Sequence, residues 1–281
     1  MGSERLFNLE VRSKLTLALV LCLLTAFVGI DSGKALAAKE GSDLLLHRLN
    51  KNETGVVESG RLIYINDGNK LGNESYRISK KEEGGLELSS EGVVTPPIPI
   101  PFIKPRINFN QTISLDDNFA PVSLSLQYKG PLGIGSKKIT AFVDGNVLEI
   151  KRGKEEQNLQ MQGNRFFFTG TTSSGALLAI ILAKKGVIPR LTEIRSGGTG
   201  PQGGDEDKVL AEVIFQKSEE KLLKVNGRET AVTSFFYREE ETGYRRELII
   251  KDGSLIAYRA RAGDSSFYAY REDLLGEGFR F

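Results

Sequence analysis

The sequence predicts a mainly β protein: an antiparallel, curved sheet in the form of a barrel or half-barrel built from hairpins, with one short apolar helix. Two observations support this fold class. Apolar and β-branched residues alternate with polar ones in short runs over most of the chain, and glycine-containing turns separate the runs. Over residues 175–186 the alternation gives way to a continuous Ala- and Leu-rich run, which is typical of a buried helix.

The N-terminal segment, residues 1–37, has the composition of a secretory signal peptide. Its basic start, with Arg5, Arg12 and Lys14, precedes an apolar run, and small alternate residues lead to Ala37. We expect cleavage after Ala37 and export to the periplasm. The apolar run is shorter than the ~20 residues of a membrane-spanning helix, so an uncleaved anchor is the weaker alternative.

Cleavage at this point limits the chemistry of the mature chain. It removes the single cysteine, Cys22, so the mature protein forms no disulfide and offers no thiolate to a substrate or to zinc. It also removes four of the 38 basic and three of the 36 acidic residues, which leaves the chain close to neutral. Because no dense cluster of Lys and Arg is present, we expect no binding of nucleic acid.

Three turns of one kind predict β-hairpins. They contain Asp67-Gly68, Asp144-Gly145 and Asp252-Gly253, and each follows a short apolar run. Glycine, and to a lesser degree Asp, tolerates the positive φ that a type I′ turn requires. Turns of this kind occur in both parts of the chain and predict two β-rich halves, residues 38–160 and 161–281. The second half ends in an antiparallel meander of four strands.

Three segments depart from the β pattern. Alternate prolines make residues 95–105 a stiff, extended apolar arm outside any central strand. The helix at residues 175–186 carries Leu and Ile on all sides, so it must be buried, lie against a membrane or cover an apolar ligand. Residues 196–207 form a Gly-rich loop, whose acidic cluster lacks the ligand spacing of an EF-hand and predicts solvated charges.

Few residues are candidates for catalysis. His47 is the only histidine, no Gly-x-Ser-x-Gly turn presents a serine, and the glycine-rich residues 130–137 lack the spacing of a phosphate-binding loop. The same histidine count excludes a histidine-based metal site. Paired carboxylates remain an open alternative, since any two acids can meet in space. The sequence therefore predicts a non-catalytic protein without a cofactor.

A repeated Tyr-Arg pair has two interpretations. In a strand the two residues of a pair point to opposite faces. In the first interpretation the tyrosines pack inward and the arginines lie in water. In the second, one face lines an apolar cavity and arginines at its rim hold an anionic head group by bidentate hydrogen bonds. The pairs are Tyr76-Arg77, Tyr237-Arg238, Tyr244-Arg245, Tyr258-Arg259 and Tyr270-Arg271.

The order of these features resembles that of bacterial envelope lipid-binding proteins of the lipoprotein-carrier kind. The resemblance runs from Val56 to Phe281 and rests on the signal peptide, on hairpins such as residues 61–78 and 247–259, and on the apolar residues 176–183. It implies a curved antiparallel sheet around an apolar cavity that short helices close. No fixed motif is involved, so no site residue follows from the resemblance.

The C-terminus indicates an alternative location. The final residues, Gly278-Phe279-Arg280-Phe281, are similar to the targeting signature of outer-membrane barrels, but Asp273 and Glu277 interrupt the alternation before them. Strands of such barrels need ~9 to 11 residues with an uninterrupted lipid-facing row. Candidates such as residues 244–251 are shorter and flanked by charges, so we favour the periplasm over the outer membrane.

These observations predict a periplasmic protein that binds a lipid or another apolar small molecule in a cavity of the sheet. The alternative is a structural or assembly protein of the outer envelope, in which the same apolar segments contact an envelope protein. The candidate ligand-binding residues come from the proline arm, the helix and the tyrosine-bearing strands: Ile98, Ile100, Phe102, Leu177, Leu178, Ile181, Tyr237, Tyr258 and Arg259.

Overall fold

Fifteen β-strands form a single sheet in the computed structural model, which describes residues 49, 54–95, 106–131, 136–161, 165–195, 209–262, 265–277 and 279. The strands are β1 Gly55–Asn66, β2 Asn69–Lys80, β3 Leu86–Val94, β4 Ile107–Leu115, β5 Pro121–Lys129, β6 Lys137–Asp144, β7 Val147–Arg152, β8 Glu155–Gln160, β9 Phe166–Thr169, β10 Arg190–Arg195, β11 Leu210–Val225, β12 Arg228–Glu239, β13 Arg245–Lys251, β14 Ser254–Ala262 and β15 Ser265–Arg271. Helix α1, Ser174–Lys185, lies between β9 and β10, and the short helix α2, Glu272–Leu275, follows β15.

The strand order confirms the predicted fold class. Across the sheet it is β8-β7-β6-β5-β4-β3-β2-β1-β15-β14-β13-β12-β11-β10-β9, and β1 pairs with β15 at the centre. The sheet is strongly curved, and among the described residues it does not close, because β8 and β9 are its two ends. Strand β9 nevertheless packs against β5 without pairing to it. The protein is therefore an open, curved, mainly antiparallel sheet.

Two-residue turns join several strands, as the Asp-Gly pairs predict. Asp67 and Gly68 have φ angles of 46° and 79°, and Asp252 and Gly253 have φ angles of 54° and 81°. These left-handed values match the twist of paired antiparallel strands. The predicted C-terminal meander is also present, since β12 to β15 are consecutive antiparallel neighbours.

One pair of strands departs from the antiparallel pattern. Strands β9 and β10 run parallel, with Phe166 opposite Thr192 and Thr169 opposite Arg195. Parallel neighbours require a crossover connection, which is usually a helix. Helix α1 provides it, so the predicted apolar helix is the crossover of a β-α-β unit at one end of the sheet.

Helix α1 packs on one face of the sheet, which we call the inner face. All residues from Ala176 to Leu182 are buried, as expected for a helix that is apolar on every side. The helix contacts β9, β13 and β14. The core around it includes Leu124 and Ile139 from the first half of the chain and Leu248 from the second, so strands of both halves contribute to one core.

A smaller apolar cluster lies on the opposite, outer face. It contains Ile63, Ile249 and Ile256, and Leu274 and Leu275 of α2 pack against it. Helix α2 lies against β1, β11 and β15. Helix α2 therefore covers part of the outer face beside the β1–β15 pair.

Several predicted features lie outside the described residues. They are the signal peptide, His47, the proline arm with Ile98, Ile100 and Phe102, and the Gly-rich loop. Within the described part of the chain, no helix has both the length and the apolar character required to cross a bilayer.

Candidate ligand-binding groove

The turn between β4 and β5 holds an aromatic ring in a strained backbone conformation. Phe119 has a φ angle of 60°, which costs a non-glycine residue about 1–2 kcal/mol. Asp116 supports the turn, because its Oδ1 atom accepts hydrogen bonds from the backbone N–H groups of Asn118 and Ala120, both at 2.8 Å. Strain of this kind persists only where the surrounding structure enforces it, and it often marks functional positions.

Two lysines at the end of α1 contact this ring. The Nζ atoms of Lys184 and Lys185 lie 5.1 Å and 5.6 Å from the centroid of the Phe119 ring, within the range of cation–π attraction. Lys185 also donates a hydrogen bond to the backbone carbonyl of Asn118. Gly186 then ends the helix with a φ angle of 75°. The lysines therefore connect the C-terminal end of α1 to the β4–β5 turn.

A groove of about 430 Å³ lies between this turn, α1 and strands β9 and β10. Its volume falls in the range of about 300–1,000 Å³ that is typical of small-molecule sites. The apolar residues that line it include Phe166, Phe167, Leu178, Ile181, Ile188 and Leu191. Most of the side chains that line the groove are therefore apolar.

The charged residues that line the groove are both cations. Arg165 and Lys185 are exposed, whereas Leu178 and Ile181 on the helix are buried. No carboxylate is among the described lining residues. The groove thus combines a buried apolar wall with positive charge on its solvent side.

A buried polar cluster holds the opposite end of α1. Glu74 from β2 has no exposed surface, and its two oxygens accept four hydrogen bonds. The donors are Tyr64 Oη, Thr171 Oγ1, and the backbone N and Oγ of Ser173, the last two at 3.1 Å and 2.7 Å. Gln111 from β4 adds to the cluster, because its Oε1 accepts a hydrogen bond from Thr171 N at 2.7 Å.

This polar cluster has a structural role that sequence reasoning missed. An acidic side chain is favoured at a helix N-terminus, where backbone N–H groups and the helix dipole present positive charge. Glu74 therefore fixes the start of α1 to β2. The Thr-Thr-Ser-Ser run at residues 171–174 is typical of a helix start and indicated where α1 begins. Nothing in the sequence near Glu74 indicated that this residue would contact the helix.

A second buried cluster contains two arginines and two glutamates. Arg246 from β13 pairs with both carboxylate oxygens of Glu193 from β10. Arg195 donates to the two oxygens of Glu239 at 3.1 Å and 2.8 Å and reaches Glu193 at 3.5 Å. Burial lowers the pKa of Arg246. Because the charges balance and each has a partner, the cluster joins β10, β12 and β13 and has no evident role in chemistry.

A third cluster lies where β1 meets β15. Tyr76 Oη and Arg271 Nη1 donate to Oε1 of Glu58 at 2.7 Å and 3.0 Å. Gly60 makes room for the guanidinium group, since a Cβ atom there would lie 2.3 Å from Nε of Arg271. Arg271 also donates to both oxygens of Asp273, at 2.7 Å and 2.6 Å. Burial raises the pKa of Glu58 to about 7, although Tyr76 and Arg271 act in the opposite direction.

The structure places the predicted helix residues at the groove or next to it. Leu178 and Ile181 line the groove, and Leu177 is fully buried on the same helix. The remaining lining residues, among them Phe166 and Lys185, were not predicted. The Phe-rich run at 166–168 and the two lysines before Gly186 were visible in the sequence, but only the crossover brings them together.

The predicted strand residues lie away from the groove. Tyr237 and Tyr258 are 1% and 5% exposed and belong to the inner core. Arg259 lies on the outer face, 3.7 Å from Glu247, so it does not share a face with Tyr258. Across the described residues, no group of three His, Cys, Asp or Glu side chains is arranged to hold a metal ion.

These features define a curved-sheet protein with a helix packed on its inner face and a groove at the end of that helix. No family model matches the chain, and no curated protein matches it. Among solved structures, the chain is similar to a β-barrel-like protein of the domain of unknown function DUF1849 from Brucella abortus, with 15% identity over 77% of this chain and 96% of that one and a TM-score of 0.49. It is also similar to a DUF1089 family protein from Pseudomonas aeruginosa, with 9% identity over 65% of this chain and 86% of that one and a TM-score of 0.38.

Proposed function

We propose that the mature protein is a non-catalytic periplasmic protein that binds the apolar chain of a lipid, or a similar small molecule, in the groove beside α1. The observation that carries the proposal is the groove of about 430 Å³ with its apolar wall from α1, β9 and β10. The periplasmic location follows from the predicted signal peptide.

The position of the groove differs from the cavity that we expected. We expected the sheet to wrap a cavity with the helix as its cover. In the structure, α1 itself packs into the inner face and is buried from Ala176 to Leu182. This packing supports a ligand position at the C-terminal end of the helix, beside Leu178 and Ile181.

The clusters around α1 support a preformed groove. Glu74 fixes one end of the helix to β2, and Lys185 connects the other end to the β4–β5 turn. A wall held at both ends loses little conformational freedom when a ligand binds, which favours affinity.

Two measurements test the proposal. Native mass spectrometry of the chain after Ala37, purified from its own envelope without harsh detergent, is expected to show a retained apolar mass. Titration with the neutral apolar fluorophore N-phenyl-1-naphthylamine is expected to show saturable binding to the delipidated protein. A bare protein mass together with no fluorophore binding would contradict the proposal and favour the alternative role in envelope assembly.

A matched pair of variants locates the binding. Ile188→Trp fills the groove and is expected to lower the affinity for the fluorophore at least tenfold. Leu222→Trp adds the same side chain on β11, where Leu222 is 69% exposed and outside the groove, and is expected to leave the affinity unchanged. Equal affinities in the two variants would place the ligand elsewhere.

A further inference from the structure

The groove has a one-sided distribution of charge that bears on the head group of its ligand. Arg165 and Lys185 line it, and Lys184 lies beside Lys185 on the Phe119 ring. Two exposed cations on the solvent side of an apolar wall form the pattern that binds a molecule with an apolar tail and a charged head.

The two acidic residues of the β4–β5 turn, Asp116 and Asp117, accept hydrogen bonds from backbone N–H groups. Oδ1 of Asp116 accepts the N–H groups of Asn118 and Ala120. Oδ1 of Asp117 accepts the N–H of Gly85, at 2.8 Å, in the turn between β2 and β3. Neither carboxylate lines the groove, so neither neutralises its cations there.

Phe119 orders the cationic side of the groove. Its backbone is held at a φ angle of 60° by the Asp116 turn, and its ring contacts both lysine ammonium groups. Contact with the ring and the hydrogen bond to the Asn118 carbonyl reduce the freedom of the Lys185 side chain before a ligand binds. An ordered ammonium group loses less entropy when it pairs with an anion.

We infer that the ligand of the groove is a single-chain amphiphile with an anionic head group, which Arg165 and Lys185 bind while the chain lies against Leu178, Ile181 and Ile188. This inference rests on the proposed function, because it requires the groove to be the binding site. A cationic head group would be repelled by both side chains, and a neutral one would form no ion pair with them.

Displacement of N-phenyl-1-naphthylamine from the full mature chain tests the inference with four ligands of one chain length. They are decanoate, decyl phosphate, decanol and decyltrimethylammonium. We expect the two anions to bind about tenfold or more tightly than decanol, since each can form a charge-assisted hydrogen bond that decanol cannot, and we expect the cation to bind most weakly. The ratio between decanoate and decyl phosphate distinguishes a carboxylate head group from a phosphate one.

Three variants assign the head-group contact. Lys185→Gln and Arg165→Gln are each expected to weaken decanoate binding about tenfold more than they weaken decanol binding. Lys224→Gln, at the far end of β11, is the control and is expected to change neither affinity. Raising the ionic strength from about 0.05 M to about 0.5 M is expected to weaken decanoate binding alone, because salt screens exposed charges.

The outcomes separate the inference from the proposed function. If decanol and decyltrimethylammonium bind as tightly as decanoate, the inference is wrong and the groove still binds apolar chains. If both glutamine variants retain the affinity of the unchanged protein for decanoate, the head-group assignment is wrong. If none of the four ligands nor the fluorophore binds, the inference and the proposed function both fail.

Discussion

Glu58 shows how this fold changes the chemistry of a single residue. Glu58 is 6% exposed, and its partner Arg271 also binds Asp273. Arg271 donates two hydrogen bonds to the carboxylate of Asp273, one to each oxygen. Of the two Glu58 oxygens, Oε2 is buried without a hydrogen-bond partner in the described structure. Burial therefore dominates and raises the pKa of Glu58 from its ordinary value of 4.5 to about 7.

This shift predicts that stability falls as the pH rises from about 4.5 to about 7. Between pH 4.5 and pH 7 the folded protein keeps the Glu58 proton that the unfolded chain has lost. The contribution of Glu58 is thus complete below pH 4.5 and is lost as the pH rises to 7, to the extent of roughly 3 kcal/mol. Urea unfolding at several pH values should show this loss in the unchanged protein and a flatter profile in Glu58→Gln.

A matched control distinguishes Glu58 from other carboxyl groups. Glu149 lies on β7 with a half-buried side chain that pairs with Lys151. Glu149→Gln is expected to keep the pH dependence of the unchanged protein. An equally steep profile in Glu58→Gln would show that another group causes the dependence.

At the scale of the element, α1 depends on contacts at its two ends more than on its own sequence. Its apolar residues bury it, but they do not specify its orientation, because they surround the helix on all sides. Glu74 fixes the orientation of α1 at its N-terminal end by accepting four hydrogen bonds. At the C-terminal end, the contacts of Lys185 with the turn that contains Phe119 fix the orientation of the helix.

Glu74→Gln is expected to destabilise the protein by about 1–3 kcal/mol, because an amide nitrogen cannot accept the hydrogen bonds that one carboxylate oxygen accepts. Urea unfolding measures the change, and hydrogen exchange of the first turn of α1 should accelerate with it. The control is Glu91→Gln on the neighbouring strand β3, where the exposed side chain allows at most about 0.5 kcal/mol of change. Equal effects of the two substitutions would show that Glu74 does not fix the start of α1.

At the scale of the whole molecule, β1 and β15 hold the two halves of the sheet together. Strands β2 to β8 lie on one side of this pair and strands β9 to β14 on the other. The core cluster around α1 contains side chains from both sides, such as Ile139 and Leu248. Strands on both sides of the predicted division near residue 161 therefore contribute to one core cluster.

We expect the mature protein to unfold in one cooperative transition, since neither half buries its apolar face without the other. Calorimetry should give equal calorimetric and van't Hoff enthalpies, and circular dichroism and tyrosine fluorescence should report one midpoint. Two separate transitions would support two independent β-rich halves in place of one shared core.

Much of the fold was predictable because its determinants are local. The turn residues Asp67-Gly68 and Asp252-Gly253 take the left-handed φ angles that their composition indicated. The predicted helix at 175–186 is α1 within one residue at each end. The parallel pairing of β9 and β10 was not predictable in this way, because the sequence does not show whether the strands before and after a helix pair with each other.

By itself, the sequence determined a mainly β chain, the positions of its hairpins and a short apolar helix, because alternation, turn composition and apolar content act over a few residues. Only the tertiary structure decided where the groove lies. Phe119 and Lys185 lie 66 positions apart in the chain, and the hydrogen bond between Arg271 and Glu58 spans 213 positions. A groove and a shifted pKa arise from contacts between distant segments, and only the pairing of the strands creates those contacts.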